Sequence, residues 1–232
     1  MKILALETSA VAASVAVCED EALIAQSFQR TGLTHSATLM PMLESMLKNA
    51  GMTLKEMDLI AVASGPGSFT GLRIGVSAAK GLAWPLDKPC ASVSTLEAMA
   101  WQVSGMDGVV CAAMDARRQQ VYNALFKLQG GVPVRLTQDR AISLDELGAE
   151  LSNIEKNQIL VGDGAHLCYN AFQNKGYPVQ MAPAHLQFQS AWGVARCALE
   201  QARNGQLTDA AGLTPNYHRL SQAERERLAK QS

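Results

Sequence analysis

Glu7-Thr8-Ser9 sets one carboxylate and two hydroxyls in a row, directly after the apolar run 3–6. At a strand end such a group can hold a metal-bound phosphate, and a polar hairpin turn can use the same three residues with no ligand at all. A second stretch, Ser64-Gly65-Pro66-Gly67-Ser68-Phe69-Thr70-Gly71-Leu72-Arg73-Ile74-Gly75, follows the apolar run 58–63. It opens a segment, 69–84, with few polar residues and no proline until Pro85. Strand, glycine turn and helix start gather backbone N–H groups at the positive end of a helix dipole, where phosphate can bind. Glu7, Thr8, Ser9, Gly65, Gly67 and Ser68 are therefore the candidate phosphate or nucleotide ligands. The turn is not a Walker loop, because no Gly-Lys-Ser/Thr ends it, and it does not match the dinucleotide GxGxxG pattern. A tight strand-to-helix connection accounts for the same glycines.

Other groups offer less. The histidines His35, His166, His185 and His218 have no partner at i, i+4, so no metal site is expected. No Gly-x-Ser-x-Gly elbow and no Cys/His pair can be argued. Asp115-Ala116-Arg117-Arg118 ends an apolar run and suits an ion pair or a ligand contact. Gly162-Asp163-Gly164 is a weak candidate for a second phosphate loop.

The elements that must position these groups follow from periodicity. Strands are expected at 3–6, 14–18 and 22–28, as an antiparallel meander. Leu39, Met42, Leu43, Met46, Leu47 and Ala50 then repeat at helical spacing, with Gly51 as a C-cap and Pro41 in the first turn or at a kink. The apolar stripe is broad enough for one edge to face a sheet and the other a partner. A strand to 63, a helix to 84, a strand at 90–93 and a helix at 95–103 complete the order βββαβαβα. Gly71, Gly75 and Ala79 lie on one helix face, where small residues allow a close helix approach. After a boundary at 105–108, strands at 109–114, 121–128 and 132–136, a helix at 143–151 with a Ser143/Glu146 capping box, a strand at 158–161, a helix to 174, a strand at 178–181 and a helix at 190–203 repeat the scheme.

Of the 232 residues, 48% are hydrophobic and 18% charged, which suits a sizeable core and argues against disorder. The formal net charge of −1 argues against a stand-alone nucleic-acid binder. The cysteines Cys18, Cys90, Cys111, Cys168 and Cys197 are scattered and odd in number, as in a reduced compartment. With no basic leader before an apolar stretch and no run long enough to span a bilayer, a cytoplasmic protein is expected.

The segments 3–9, 64–75 and Ala78-Ala79-Lys80-Gly81-Leu82-Ala83, with Asp115-Ala116-Arg117 and the ending Pro215-Asn216-Tyr217-His218-Arg219, resemble the bacterial TsaB/YeaZ family. The resemblance implies an α/β, actin-like duplication of two ribonuclease-H-like lobes, the second reduced: lobe one at 1–104, lobe two at 105–220, and a charged tail at 221–232. It implies a non-catalytic subunit of the complex that transfers threonylcarbamoyl to the adenosine 3′ of the anticodon in tRNAs reading ANN codons. The implied partners are the catalytic paralogue TsaD, the ATPase TsaE, and tRNA reached through the complex, with a homodimer when TsaD is absent. The expected interface is Leu39, Met42, Leu43, Met46 and Leu47 with Gly71, Leu72, Gly75 and Ala79. No cofactor is required by the chain itself, with ATP or ADP a candidate at the partner interface. The catalytic relative carries His-x-x-x-His where this chain has Thr95 and Met99, so the metal centre is expected to be lost. Family members carry x-Gly-Glu where this chain has Arg118-Gln119-Gln120. The alternatives are a stand-alone ATP-using phosphotransferase, favoured by Glu7, Thr8 and the 65–71 turn, and a peptidase, for which no nucleophile constellation argues.

Overall fold

The computed structural model of the chain describes residues 1–218. The charged tail and Arg219 of the family ending lie outside the described residues.

The first sheet runs β3-β2-β1-β4-β5. Its strands are β1 (Lys2–Glu7), β2 (Ala13–Glu19), β3 (Ala22–Gln29), β4 (Leu59–Gly65) and β5 (Cys90–Ser94). β1 pairs antiparallel with β2 and parallel with β4, and β4 pairs parallel with β5. The second sheet runs β11-β10-β6-β7-β8 and, like the first, has two parallel pairs on one side and two antiparallel pairs on the other. Its strands are β6 (Val109–Asp115), β7 (Gln120–Gln129), β8 (Val132–Arg135), β10 (Gln158–Val161) and β11 (Val179–Met181). The duplication expected from element order is thus present as sheet topology. One short strand, β9 (Arg140–Ser143), was not expected; it pairs with β7 off the main path.

Helices α1 (His35–Asn49) and α2 (Phe69–Ala83) cover one face of the first sheet. Leu39, Met42, Leu43, Met46 and Leu47 pack there with Val76 and Ala79 onto Leu4, Leu6, Val15, Val17, Ile60 and Val62. Burying this stripe removes apolar area from water, at about 25 cal/mol per Å². Pro41 lies inside α1 on its exposed side, past the first turn. Helices α4 (Leu144–Ser152) and α5 (Ala165–Phe172) cover the outer face of the second sheet. The capping box of α4 forms as expected: Ser143 Oγ accepts from Glu146 N–H, and the Glu146 carboxylate accepts from Ser143 N–H at 3.2 Å.

Helices α3 (Thr95–Gln102) and α6 (Ala191–Arg203) fill the layer between. Ala98 and Trp101 of α3 join α6 against Ile3, Ala5, Ala61 and Val93 of the first sheet. Leu96, Met99, Ala100 and Val103 face the other way, onto Val110, Ala112, Phe126 and Ile159 of the second. A cut at 104/105 therefore does not separate two packing units. The α6 helix, assigned by sequence to the second lobe, covers the first sheet, because only there do Val194, Ala195 and Ala198 find an apolar face. The chain then returns to the first lobe: Thr208 bridges to Cys90, and Ala210 and Leu213 enter the core under α1 and α2.

Candidate functional site between the lobes

The strands β1, β4, β6 and β10 direct their carboxyl ends toward one region, the usual place for a crevice in α/β sheets. A cleft of about 570 Å³ opens there. Its first-lobe wall is Ser9, Ala10, Val11, Gly67, Ser68 and Phe69, with Arg30. Its second-lobe wall includes Asp115, Ala116, Arg117, Tyr122, Asp163 and His166.

Of the six sequence-derived phosphate candidates, Ser9, Gly67 and Ser68 line this cleft; Glu7, Thr8 and Gly65 do not. Glu7 is fully buried. Its Oε1 accepts the Ser9 N–H at 2.5 Å, while Oε2 has no partner among the described residues. Burial pushes its carboxyl up from 4.5 to about 7, against the opposing Ser9 hydrogen bonds and with help from Asp163. Asp163, across the cleft, is also pushed up by burial, although Gln189 Nε2 donates to its Oδ1 at 2.7 Å.

The glycine turn is explained by contact with Thr8 and Ser9. Ser68 N–H donates to Ser9 C=O at 2.7 Å, and Thr8 Oγ1 donates to Gly71 C=O at 2.8 Å. A Cβ on Gly67 would stand 2.6 Å from Ser9 O; one on Gly71 would strike Thr8 O, and one on Gly75 would strike Thr8 Oγ1. The small-residue face of α2 is therefore spent on β1 and its turn. That corrects the expected interface. Leu39, Met42, Leu43, Met46, Leu47, Gly71, Leu72, Gly75 and Ala79 are all buried within this chain, since α1 and α2 must shield the sheet before they can meet anything else.

The second glycine turn behaves alike. A Cβ on Gly162 would strike Ala113 O and come within 2.8 Å of Met99 Sδ; one on Gly164 would crowd Met114 C at 2.8 Å. Both are close approaches to β6, and Gly164 N–H donates to Ala113 C=O. Thr95 and Met99, which the resemblance sets opposite the catalytic relative's histidines, are wholly buried, and Met99 packs in the apolar core of the second sheet. Among the described residues no cluster of three or more His, Cys, Asp or Glu could hold a metal ion. Of the candidate ligands, the Glu7 carboxyl is enclosed, the Thr8 hydroxyl is engaged with Gly71 and the Ser68 N–H with Ser9, whereas the Ser9 hydroxyl has no partner among the described residues.

Asp115 and Arg117 form the ion pair the sequence suggested, at 3.6 Å, and Asp115 Oδ1 also accepts the Arg117 N–H at 2.7 Å. The turn they open holds Arg117, Arg118 and Gln119 at φ of 65°, 56° and 57°, a left-handed run that disfavours residues with a Cβ. Asp163, read from the sequence only as part of a candidate phosphate loop, lines the cleft and adds to the burial that raises the Glu7 carboxyl, a relationship the sequence does not show. Tyr217 stacks on Phe69 with centroids 4.5 Å apart and accepts from Arg73 Nε at 2.9 Å. The Pro215-Asn216-Tyr217 ending was the available signal.

Comparison with known proteins agrees with this architecture. The family model described as TsaD, tRNA N6-adenosine threonylcarbamoyltransferase, matches residues 10–226. The chain is 31% identical to the tRNA threonylcarbamoyladenosine biosynthesis protein TsaB of Bacillus subtilis, over 97% of this chain and 96% of that one. It is 39% identical to Escherichia coli TsaB over 55% of each chain. The solved structure of YeaZ from Pseudomonas aeruginosa superposes with a TM-score of 0.80 at 26% identity, covering 93% of this chain and 99% of that one. The chain belongs to the TsaB/YeaZ proteins of the threonylcarbamoyltransferase family and has their two-lobed, actin-like α/β fold.

Proposed function

We propose that this chain is a non-catalytic subunit in tRNA threonylcarbamoyladenosine biosynthesis, the process for which its TsaB relatives are named. It pairs with a catalytic TsaD-type protein, helps recruit the ATPase TsaE, and meets tRNA only through the complex. The observation that carries the non-catalytic reading is the burial of Thr95 and Met99. Neither supplies an imidazole, and Met99 sits in a packed apolar layer with no room for a substrate.

The partner surface in this reading is the outer side of the same two helices. Ala37, Met40 and Pro41 of α1 and Ser77 and Gly81 of α2 are exposed and uncharged. Their small size lets a partner's helices approach closely, and Met40, 37% exposed, is an adaptable apolar contact. The same face serves a homodimer when the partner is absent. ATP or ADP, where it acts, is held at the partner interface and not by Glu7 or Thr8. Size-exclusion co-elution with a TsaD protein tests the pairing: the wild-type chain co-elutes, and a folded chain that never does so overturns it.

A further inference from the structure

The strand orders leave four sheet edges, β3 and β5 in the first sheet and β8 and β11 in the second. β5 is closed by the chain itself, since Cys90 and Thr208 exchange backbone hydrogen bonds of 2.7 and 2.9 Å. β8 has four residues, Pro133 among them, and β11 has three. β3 has eight, Ala22–Gln29, with no charge and no proline. Its one irregularity, a bulge opposite Val17 and Cys18, lies toward the turn and leaves 25–29 in regular pairing. Natural sheets guard their edges by shortness, proline, charge or cover, and β3 lacks all four.

Both flanks of this edge are open. Gln26 Nε2 donates to Ser190 Oγ at 3.3 Å, so the 24–26–28 side of the strand faces the start of α6. On that side Ile24 is 42% and Phe28 43% exposed. Ala25 turns the other way and packs on the core under α1. There a groove of about 450 Å³ runs between residues 24–27 of β3 and Ser45, Asn49 and Ala50 of α1. Four consecutive residues alternate in direction, so the strand's edge itself forms this wall. Asn49 stands nine residues from Met40, about 180° round the helix, so the groove is separate from the outer face assigned to the catalytic partner.

We propose that β3 pairs antiparallel with β3 of a second copy of this chain, joining the two five-stranded sheets across a two-fold axis at Gln26. The strand is self-complementary in that register. Ile24 stands opposite Phe28 of the second copy, twice, and Ala25 opposite Ser27. The apolar side chains exposed in the single chain then cover each other, and the small ones lie beside the groove under α1. Charge selects the same direction. The turn Glu19-Asp20-Glu21 holds three carboxylates at one end of β3, and Arg30 stands at the other. Asp20 is met by the N-terminal ammonium and Glu21 by Arg196 and Arg203, whereas Glu19 and Arg30 have no ion-pair partner among the described residues. Antiparallel pairing sets each acidic turn beside the other copy's arginine, and parallel pairing sets like charges together.

The test is analytical ultracentrifugation of the full chain carrying Met40→Asp, which disables the outer face of α1 and α2. A dimer is expected. Adding Phe28→Lys should weaken self-association at least about tenfold while the urea midpoint moves little, because Phe28 is exposed. Gln26→Cys in the same background gives a second readout, since only a residue on the two-fold axis meets its own copy. The five native cysteines are buried and stay out of the reaction. With copper–phenanthroline as oxidant, Gln26→Cys should form a disulfide-linked dimer, and Glu44→Cys, on the far flank of α1, should not. A chain that stays monomeric at several hundred micromolar, which would leave the edge to a foreign strand, would overturn the proposal. So would a dimer indifferent to Phe28→Lys, or equal cross-linking at both cysteines.

Discussion

Thr8 Oγ1 donates to the Gly71 carbonyl at 2.8 Å, and it also occupies the space where a Cβ on Gly75 would go. One hydroxyl thus locks β1 to the first two turns of α2. Gly75→Ala gains about 1 kcal/mol of helix propensity but forces this contact apart, at a cost of about 1–3 kcal/mol. Urea unfolding should show a net loss of stability. In the Thr8→Ala background, with the hydroxyl gone, the loss should shrink, giving a coupling of about 1 kcal/mol.

Glu7 makes stability depend on pH. Its folded-state value, about 7, lies above the ordinary 4.5, so the folded chain holds a proton the unfolded chain has released. The contribution is complete below pH 4.5 and is lost as pH rises to about 7, a fall of roughly 3 kcal/mol in all. Above that range the dependence ends. Glu7→Gln should flatten this slope when urea midpoints are compared across the window.

The packing of α6 on the first sheet predicts the behaviour of a fragment. Residues 1–104 lack α6 and keep only Ala98 and Trp101 of α3 over Ile3, Ala5, Ala61 and Val93, so most of that face loses its cover. Expressed alone, the fragment should show no cooperative unfolding and should bind a hydrophobic dye. A fragment with a sharp two-state transition would contradict this account of the core.

The left-handed run at 117–119 is a site for stabilisation. Gln119 has φ of 57°. Gln119→Gly should relieve about 1 kcal/mol of backbone strain, less the entropy that glycine adds to the unfolded chain. A small rise in Tm, a few degrees at most, is expected by calorimetry.

Much of this structure is legible in the residues. Alternation and helical spacing place the strands and helices of both halves, and Ser143 with Glu146 marks a helix start that forms as read. β9 is missed because only Ile142 among its four residues is buried, which is too little pattern to see. Periodicity shows that α6 has an apolar face but not which sheet it covers. The Gly71/Gly75/Ala79 stripe shows the same limit: small residues announce a close neighbour, and here it is Thr8, 63 residues upstream of Gly71. Asp163 reaches the buried Glu7 only through the folding of two lobes.

The central claim is that this chain supports a catalytic partner through the outer face of α1 and α2. Met40→Asp is the direct probe, because Met40 is 37% exposed and the change should alter stability by no more than about 0.5 kcal/mol. Leu43→Asp, at 2% exposure, reports on folding instead. The decisive measurement is threonylcarbamoyladenosine formed on tRNA by purified TsaD and TsaE proteins with the threonylcarbamoyl donor. The account predicts product with the wild-type chain and at least about a tenfold loss, roughly 1.4 kcal/mol, without it or with Met40→Asp. Undiminished product in the absence of this chain would contradict it.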